Sequence, residues 1–159
     1  MDEVVLVRLG GSRLALPLAA VAEVGRPPAL TRVPGLPTWV AGVANWRGRV
    51  LAVLDLRSLI GDGRPPGPAP GSAAREARLV VLQLRGTHGE VRVGLLVERV
   101  DGTTRLEPDR LEPTSPHLPA RSADLLAGQV TDADGPLGVV DPAAVLALAD
   151  RLSRTRRAS

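Results

Sequence analysis

Between positions 91 and 98 the apolar Val91, Val93, Leu95 and Val97 alternate with Arg92, Gly94, Leu96 and Glu98. A half-buried strand has this period of two. Near the end of the chain the spacing changes. Val145, Leu148, Ala149 and Leu152 stand at i, i+3, i+4 and i+7, one apolar stripe of a helix. Asp141 precedes it as N-cap and Pro142 suits its first position, where a missing N–H costs nothing. The stripe is expected to pack on the rest of the domain.

Elsewhere short apolar runs meet turn residues. Segments 3–9 and 13–18 flank Gly10-Gly11-Ser12 and predict a hairpin. A short strand is expected at Leu30–Val33, between prolines. Residues 42–46 and 49–55 predict a second hairpin about Arg47-Gly48, after which Asp55 caps one helical turn carrying Leu59 and Ile60. Residues 61–78 are rich in Pro and Gly and read as a mobile linker. Strands resume at 79–84 and 90–97, residues 107–122 read as proline-rich loop, and two more strands fall near 125–131 and 137–140.

The two halves resemble each other. Gly42 precedes Asp55 by the same interval that separates Gly128 from Asp141, and Leu14–Val21 lies over Val93–Val100. Each half predicts about five short strands and a short helix, hence two small barrels. Gly42, Asp55, Gly128 and Asp141, present in both halves, are expected to serve the architecture, and Gly48 the turn. Asn45, Trp46 and Arg47 have no counterpart in the second half, whose turn is Thr131–Pro136. Glu23 maps onto Gly102, so an acid and an arginine are missing together. Either Glu23 and Arg47 form an ion pair across the first barrel, or they are two unrelated surface charges.

Composition narrows the function. The chain of 159 residues has no Cys, Phe or Tyr, and its aromatic residues are Trp39 and Trp46. The core must therefore be aliphatic, and neither disulfides nor thiolate chemistry is available. Its net charge is +3, with Arg151, Arg154, Arg156 and Arg157 in the last nine residues. That tail either binds polyanions or is a solvated end. Residues 1–152 predict a single domain, divided at about 1–60 and 79–152, with 153–159 a disordered basic tail. His88 and His117 lack partners at metal-ligand spacing, and no phosphate loop or nucleophile–base pair is present, so no cofactor, metal or catalysis is expected. The acidic start and the lack of a long apolar run predict a cytoplasmic protein.

Several segments carry a resemblance: VxEV at 21–24, VPxLPxxVxGVxNxRGxVLxVLDLRxLxG at 33–61, and VGLLVERV at 93–100. They resemble the CheW-type chemotaxis coupling proteins, and the likeness runs from about residue 3 to 150. The resemblance implies a mainly β, CheW-like fold: two SH3-like five-stranded β-barrels with short helices, a C-terminal helix and a hydrophobic groove between the barrels. It implies a non-enzymatic adaptor that joins methyl-accepting chemoreceptor tips to the regulatory domain of a CheA-type histidine kinase at membrane-associated arrays. Ring assembly with the kinase or with itself is also implied. Alternatives are an adaptor of a related non-flagellar pathway, such as pilus motility, and a small-barrel nucleic-acid module using the Arg-rich tail.

Carried over by position, Val21, Glu23, Gly42, Asn45, Arg47 and Gly48 match the first-barrel motif, Arg47 being the position most implicated in adaptor function. Gly94, Val97 and Val100 match the segment bordering the groove. Trp46 stands where the family usually has Leu. It either covers the barrel end or alters which partner is accepted.

Overall fold

The computed structural model describes residues 2–60, 75–87, 89–114 and 120–158, with backbone alone for 120–122 and 153–158. Its strands are β1 (Asp2–Leu9), β2 (Ser12–Pro17), β3 (Val21–Gly25), β4 (Val40–Trp46), β5 (Arg49–Leu54), β6 (Arg78–Gly86), β7 (Gly89–Val97), β8 (Arg99–Leu106), β9 (Leu126–Asp132) and β10 (Gly135–Val140). Two helices follow one another late in the chain, α1 (Ala120–Leu125) and α2 (Pro142–Ala158). The linker expected at 61–78 falls outside the described residues as far as position 74, as do His88 and His117.

The expected hairpins form about their turns. Gly10 and Gly11 have φ of 59° and 80°, and Arg47 and Gly48 have 51° and 81°. Both turns thus have positive φ at their two central residues, the I′ arrangement that matches strand twist. Asp55 accepts from Arg57 N at 3.1 Å to start a 3-10 turn, and Asp141 accepts from Ala143 N at 3.0 Å to start α2. The stripe of α2 is buried, Val145 fully. No Gly or Pro interrupts 143–158, and α2 continues past position 152, where the sequence reading ended the domain.

Other expectations need correction. The strand expected at 30–33 is a single bridge, Thr31 to Val43, because the surrounding prolines remove the donors a ladder needs. Strands β3 and β8 were not predicted; both lie at sheet edges, where alternation is weak.

The largest correction concerns the barrels. The strands form two open five-stranded mixed sheets, ordered β8-β1-β2-β10-β9 and β3-β6-β7-β5-β4. Neither sheet belongs to one half of the chain. The hairpin β1–β2 joins three strands of the second half, and β6–β7 joins three of the first. Advancing every strand by five turns one order into the other, so the internal repeat is expressed as a pseudo-twofold exchange of hairpins.

The exchange also decides where the core lies. Val5, Val7, Leu9, Leu14 and Leu16 face Val80, Leu82, Leu84, Val93, Leu95 and Val97 in the main cluster, which α2 joins through Val145 and Leu148. The opposite faces of the two hairpins support smaller clusters. One consists of Ala44, Leu51, Val53, Leu79 and Val81, the other of Val4, Ala15 and Leu137. The central hairpins are thus apolar on both faces, and the main core lies between the sheets.

Candidate functional site

Strands β3 and β4 are opposite edges of the second sheet and share no ladder. The sheet nevertheless rolls far enough for side chains to bridge its seam. Arg47 Nε donates to Glu23 Oε1 at 2.8 Å, and Nη2 lies 2.8 Å from the same oxygen. The proposed pair therefore meets, across the seam of an open sheet. Arg47 is 73% exposed on its side chain and Glu23 24%, so one face of the guanidinium remains open to a partner.

The turn holding Arg47 is built for that placement. Asn45 Oδ1 accepts from Gly48 N at 3.1 Å, which ties the two-residue turn closed. Among the described residues Arg47 is the non-glycine with positive φ. Gly, Asn and Asp favour that region, and a long side chain there is uncommon. The chain spends its hairpin tip on an arginine where Asn would fit the turn better. The ion pair pulls the Glu23 carboxyl below its ordinary range, Arg47 first and the Trp46 indole N–H second. The indole contribution is one of proximity, since Trp46 Nε1 is buried without a well-formed hydrogen bond.

Trp46 reaches across the same seam. A Cβ built on Gly25 would lie 2.7 Å from Trp46 Cη2 and 3.1 Å from Cζ2. Glu23 and Gly25 are two apart on β3 and present one face. The arginine therefore meets the carboxylate, and the indole meets the bare backbone beside it. The guanidinium carbon stands 5.7 Å from the indole centroid, within cation–π range. Nothing in the sequence singled out Gly25; it shows only as the space the indole fills.

The first sheet supplies the contrast. Its corresponding seam, between β8 and the β9–β10 turn, is an open cleft of about 480 Å³ lined in part by Arg8, Arg13, Arg99, Asp101 and Asp134. Arg13 turns to Asp132, with two contacts of 2.9 Å, and Asp101 is shared by Arg8 and Arg99. Arg13 holds the Asp132 carboxyl below its ordinary range, and Arg99 does the same to Asp101.

These depressed carboxyls have a consequence in acid. Each contributes stability that is present above its unfolded pKa and is lost as pH falls through its lower folded value. The melting temperature is expected to hold from about pH 7 to 5 and to fall below about pH 4. Replacing both Glu23 and Asp132 by their amides should make that acid limb shallower. An unchanged acid limb by scanning calorimetry would show that other groups govern it.

The other predicted residues divide. Val97 is in the main core, and a Cβ on Gly94 would sit 2.8 Å from Leu79 Cδ1, so Gly94 is interior too. Both lie on β7, the central strand of the second sheet. Val21 and Val100 are partly buried against the main core. An open cleft of about 630 Å³ lies between the 30–38 segment and β4, with Val33, Leu36, Val40 and Leu96 among its walls beside Arg32 and Arg57.

Gly42 and Gly128 occupy matching places. A Cβ on Gly42 would lie 2.6 Å from Thr31 O, and one on Gly128 2.6 Å from Glu112 O. Each glycine sits in a bulge beside the same kind of bridge, Thr31 to Val43 and Glu112 to Gln129. Asp55 is 1% exposed and its Oδ2 is 2.6 Å from Arg57 Nη2, a pair that spacing did not reveal. Glu98 entered the sequence reading only as a polar position of the 91–98 alternation. It accepts from Gly10 N at 2.5 Å and fastens the first turn. Among the described residues no group of three His, Cys, Asp or Glu could hold a metal, and no helix is long and apolar enough to cross a membrane.

Known proteins share this arrangement. A family model described as the CheW-like domain matches residues 3–150. Protein PilI of Pseudomonas aeruginosa is 33% identical over 121 residues, which is 76% of this chain and 62% of that protein. The chemotaxis protein CheW of Helicobacter pylori is 26% identical over 66% of this chain and 58% of its own length. The chain thus matches less than two thirds of either relative. The solved scaffolding protein TtCheW of Thermoanaerobacter tengcongensis has the same fold at 20% identity, with a TM-score of 0.72 covering 88% of this chain and 84% of that one. With its two exchanged sheets and a family match running from residue 3 to 150, this chain belongs to the CheW-like domain family.

Proposed function

We propose that the protein is a non-enzymatic adaptor, joining chemoreceptor cytoplasmic tips to the regulatory domain of a CheA-type histidine kinase. The observation that carries this reading is the seam of the second sheet. An arginine is held in an unfavourable backbone region at a hairpin tip, paired on one side and open on the other. Architecture alone gives no reason for it, since the first sheet keeps its fold with Ala133 and Asp134 in the matching turn. A charged, rigid, surface-held arginine suits recognition of a protein partner. Glu23, Asn45, Trp46 and Arg47 form this surface. Val21 and Val100, partly buried against the main core, are the apolar members of the proposed partner surface. The finer description, two SH3-like barrels, fits sheets that roll until side chains bridge the seam of one of them.

The test uses the purified kinase regulatory domain and a receptor-tip hairpin, with binding followed by calorimetry. Wild type is expected to bind both, and Arg47→Ala to weaken at least one about tenfold or more. Absence of binding by well-folded wild type would sink the coupling reading. Unimpaired binding by Arg47→Ala would sink the site. PilI bears a name that does not mention chemotaxis, which keeps an adaptor of another pathway as the second reading. Kinases of the two pathways, compared side by side, separate them.

A further inference from the structure

We infer that Trp46 is a positioning residue for Arg47, seated against Gly25 so that the indole holds the guanidinium over Glu23. This rests on Arg47 being the residue offered to the partner. An exposed ion pair gains little and is a weak restraint on a long side chain. Arg47 is such a case, and a second restraint is needed if its direction is to be fixed. The indole supplies one: its ring lies 5.7 Å from the guanidinium carbon.

The indole is itself fixed from both sides. It ends β4, packs with the small cluster of Ala44, Leu51 and Val53, and meets the bare backbone of Gly25 across the seam. Gly25 has no positive φ of the kind that demands glycine, so it is not there to permit a turn. The physical need at position 25 is room, because a Cβ would intrude to 2.7 Å on the ring. Large and small residues thus face each other on two edge strands with no ladder between them. The polar atom of the ring points inward too. Nε1 is buried without a hydrogen-bond partner and still bears on the Glu23 carboxylate. A tryptophan serving as a partner's anchor would be better placed with that N–H outward. Buried, it is not presented to a partner.

The experiment compares wild type with Trp46→Leu, Gly25→Ala and the double variant. Readouts are the NMR titration of the Glu23 side-chain carboxyl, the melting temperature, and affinity for the purified kinase regulatory domain. Trp46→Leu is expected to raise the pH at which Glu23 titrates and to weaken binding about two- to fivefold. Gly25→Ala should do the same by displacing the ring, and should add little once Trp46 is Leu. Additive effects of the two substitutions would overturn the proposal. So would an unmoved Glu23 titration in Trp46→Leu, including the case where binding weakens because the indole touches the partner itself. If Gly25→Ala does not fold, the Glu23 titration in Trp46→Leu decides alone. Arg47→Ala binding like wild type would refute Arg47 as the residue offered to the partner, while the titration would still decide whether Trp46 positions the pair.

Discussion

Gly42→Ala and Gly128→Ala are each expected to lower stability by about 2–4 kcal/mol, among the largest effects of any single methyl added to this chain. In both cases the new Cβ would meet a backbone carbonyl oxygen at 2.6 Å. A carbonyl in a loop anchored by two hydrogen bonds cannot retreat as a side-chain tip can. Thr31 and Val43 exchange N–H···O bonds of 2.8 and 2.9 Å, and Glu112 and Gln129 exchange two of 2.8 Å. Relief of the clash would break one of these bridges. Gly42 carries the further cost of φ at 150°. Gly48 provides the control, since its Cβ would meet nothing within 4 Å and only its φ of 81° resists substitution. Gly48→Ala should therefore cost about 1–2 kcal/mol. Urea denaturation midpoints order the three variants. Gly42→Ala no worse than Gly48→Ala would mean that close approach is not what position 42 requires.

A chain ending at residue 60 is expected not to fold, nor one beginning at residue 75, and mixing the two should restore the native spectrum. The reason is the exchange of hairpins. Four ladders join the halves: β1 to β8, β2 to β10, β3 to β6 and β5 to β7. In isolation the first half keeps two hairpin ladders, β1–β2 and β4–β5, and loses the sheets that contain them. Two-stranded hairpins are marginal in water. The main core is lost with them, because Val5, Val7 and Leu16 are covered by residues of the second half, among them Val80 and Leu95. Domains are stable by only about 5–15 kcal/mol, less than a core of this extent contributes. Amide dispersion in the NMR spectrum of each fragment is the measure. A dispersed spectrum from residues 1–60 alone would show that the first half is a self-sufficient unit after all.

These outcomes bear on what could be read from residue order. The hairpins at Gly10-Gly11 and Arg47-Gly48 were legible because turn chemistry acts over two residues. The caps Asp55 and Asp141 were legible for the same reason, as was the stripe of α2. Strands β3 and β8 were missed since an edge strand such as Val21–Gly25 has no need of clean alternation. The Glu23–Arg47 pair was reachable by an indirect route: the chain's second half lacks both charges, so the repeat acted as its own control. Gly25 was not reachable. A glycine that makes room for an indole from a non-adjacent strand leaves no local mark.

The assignment of β7 shows the same limit from the other side. Its alternation correctly predicted a strand with one face of Val93, Leu95 and Val97 buried. It could not tell that Gly94 and Leu96 would face a second, smaller core, because one period of two serves a strand covered on one face or both.

By itself the sequence determined local matters: which segments extend, where they turn, where helices start, and that two halves follow one plan. Those depend on interactions spanning a few residues, and each half carries them. Tertiary structure alone decided how the halves combine. It paired each central hairpin with the opposite half, buried those hairpins on both faces, and rolled the second sheet until Arg47 and Trp46 met Glu23 and Gly25. The physical reason is that strand pairing and seam closure maximise burial over the whole chain, and many pairings satisfy the same local pattern. The pairing adopted here buries apolar residues on both faces of β1–β2 and β6–β7 and leaves an arginine paired at the surface.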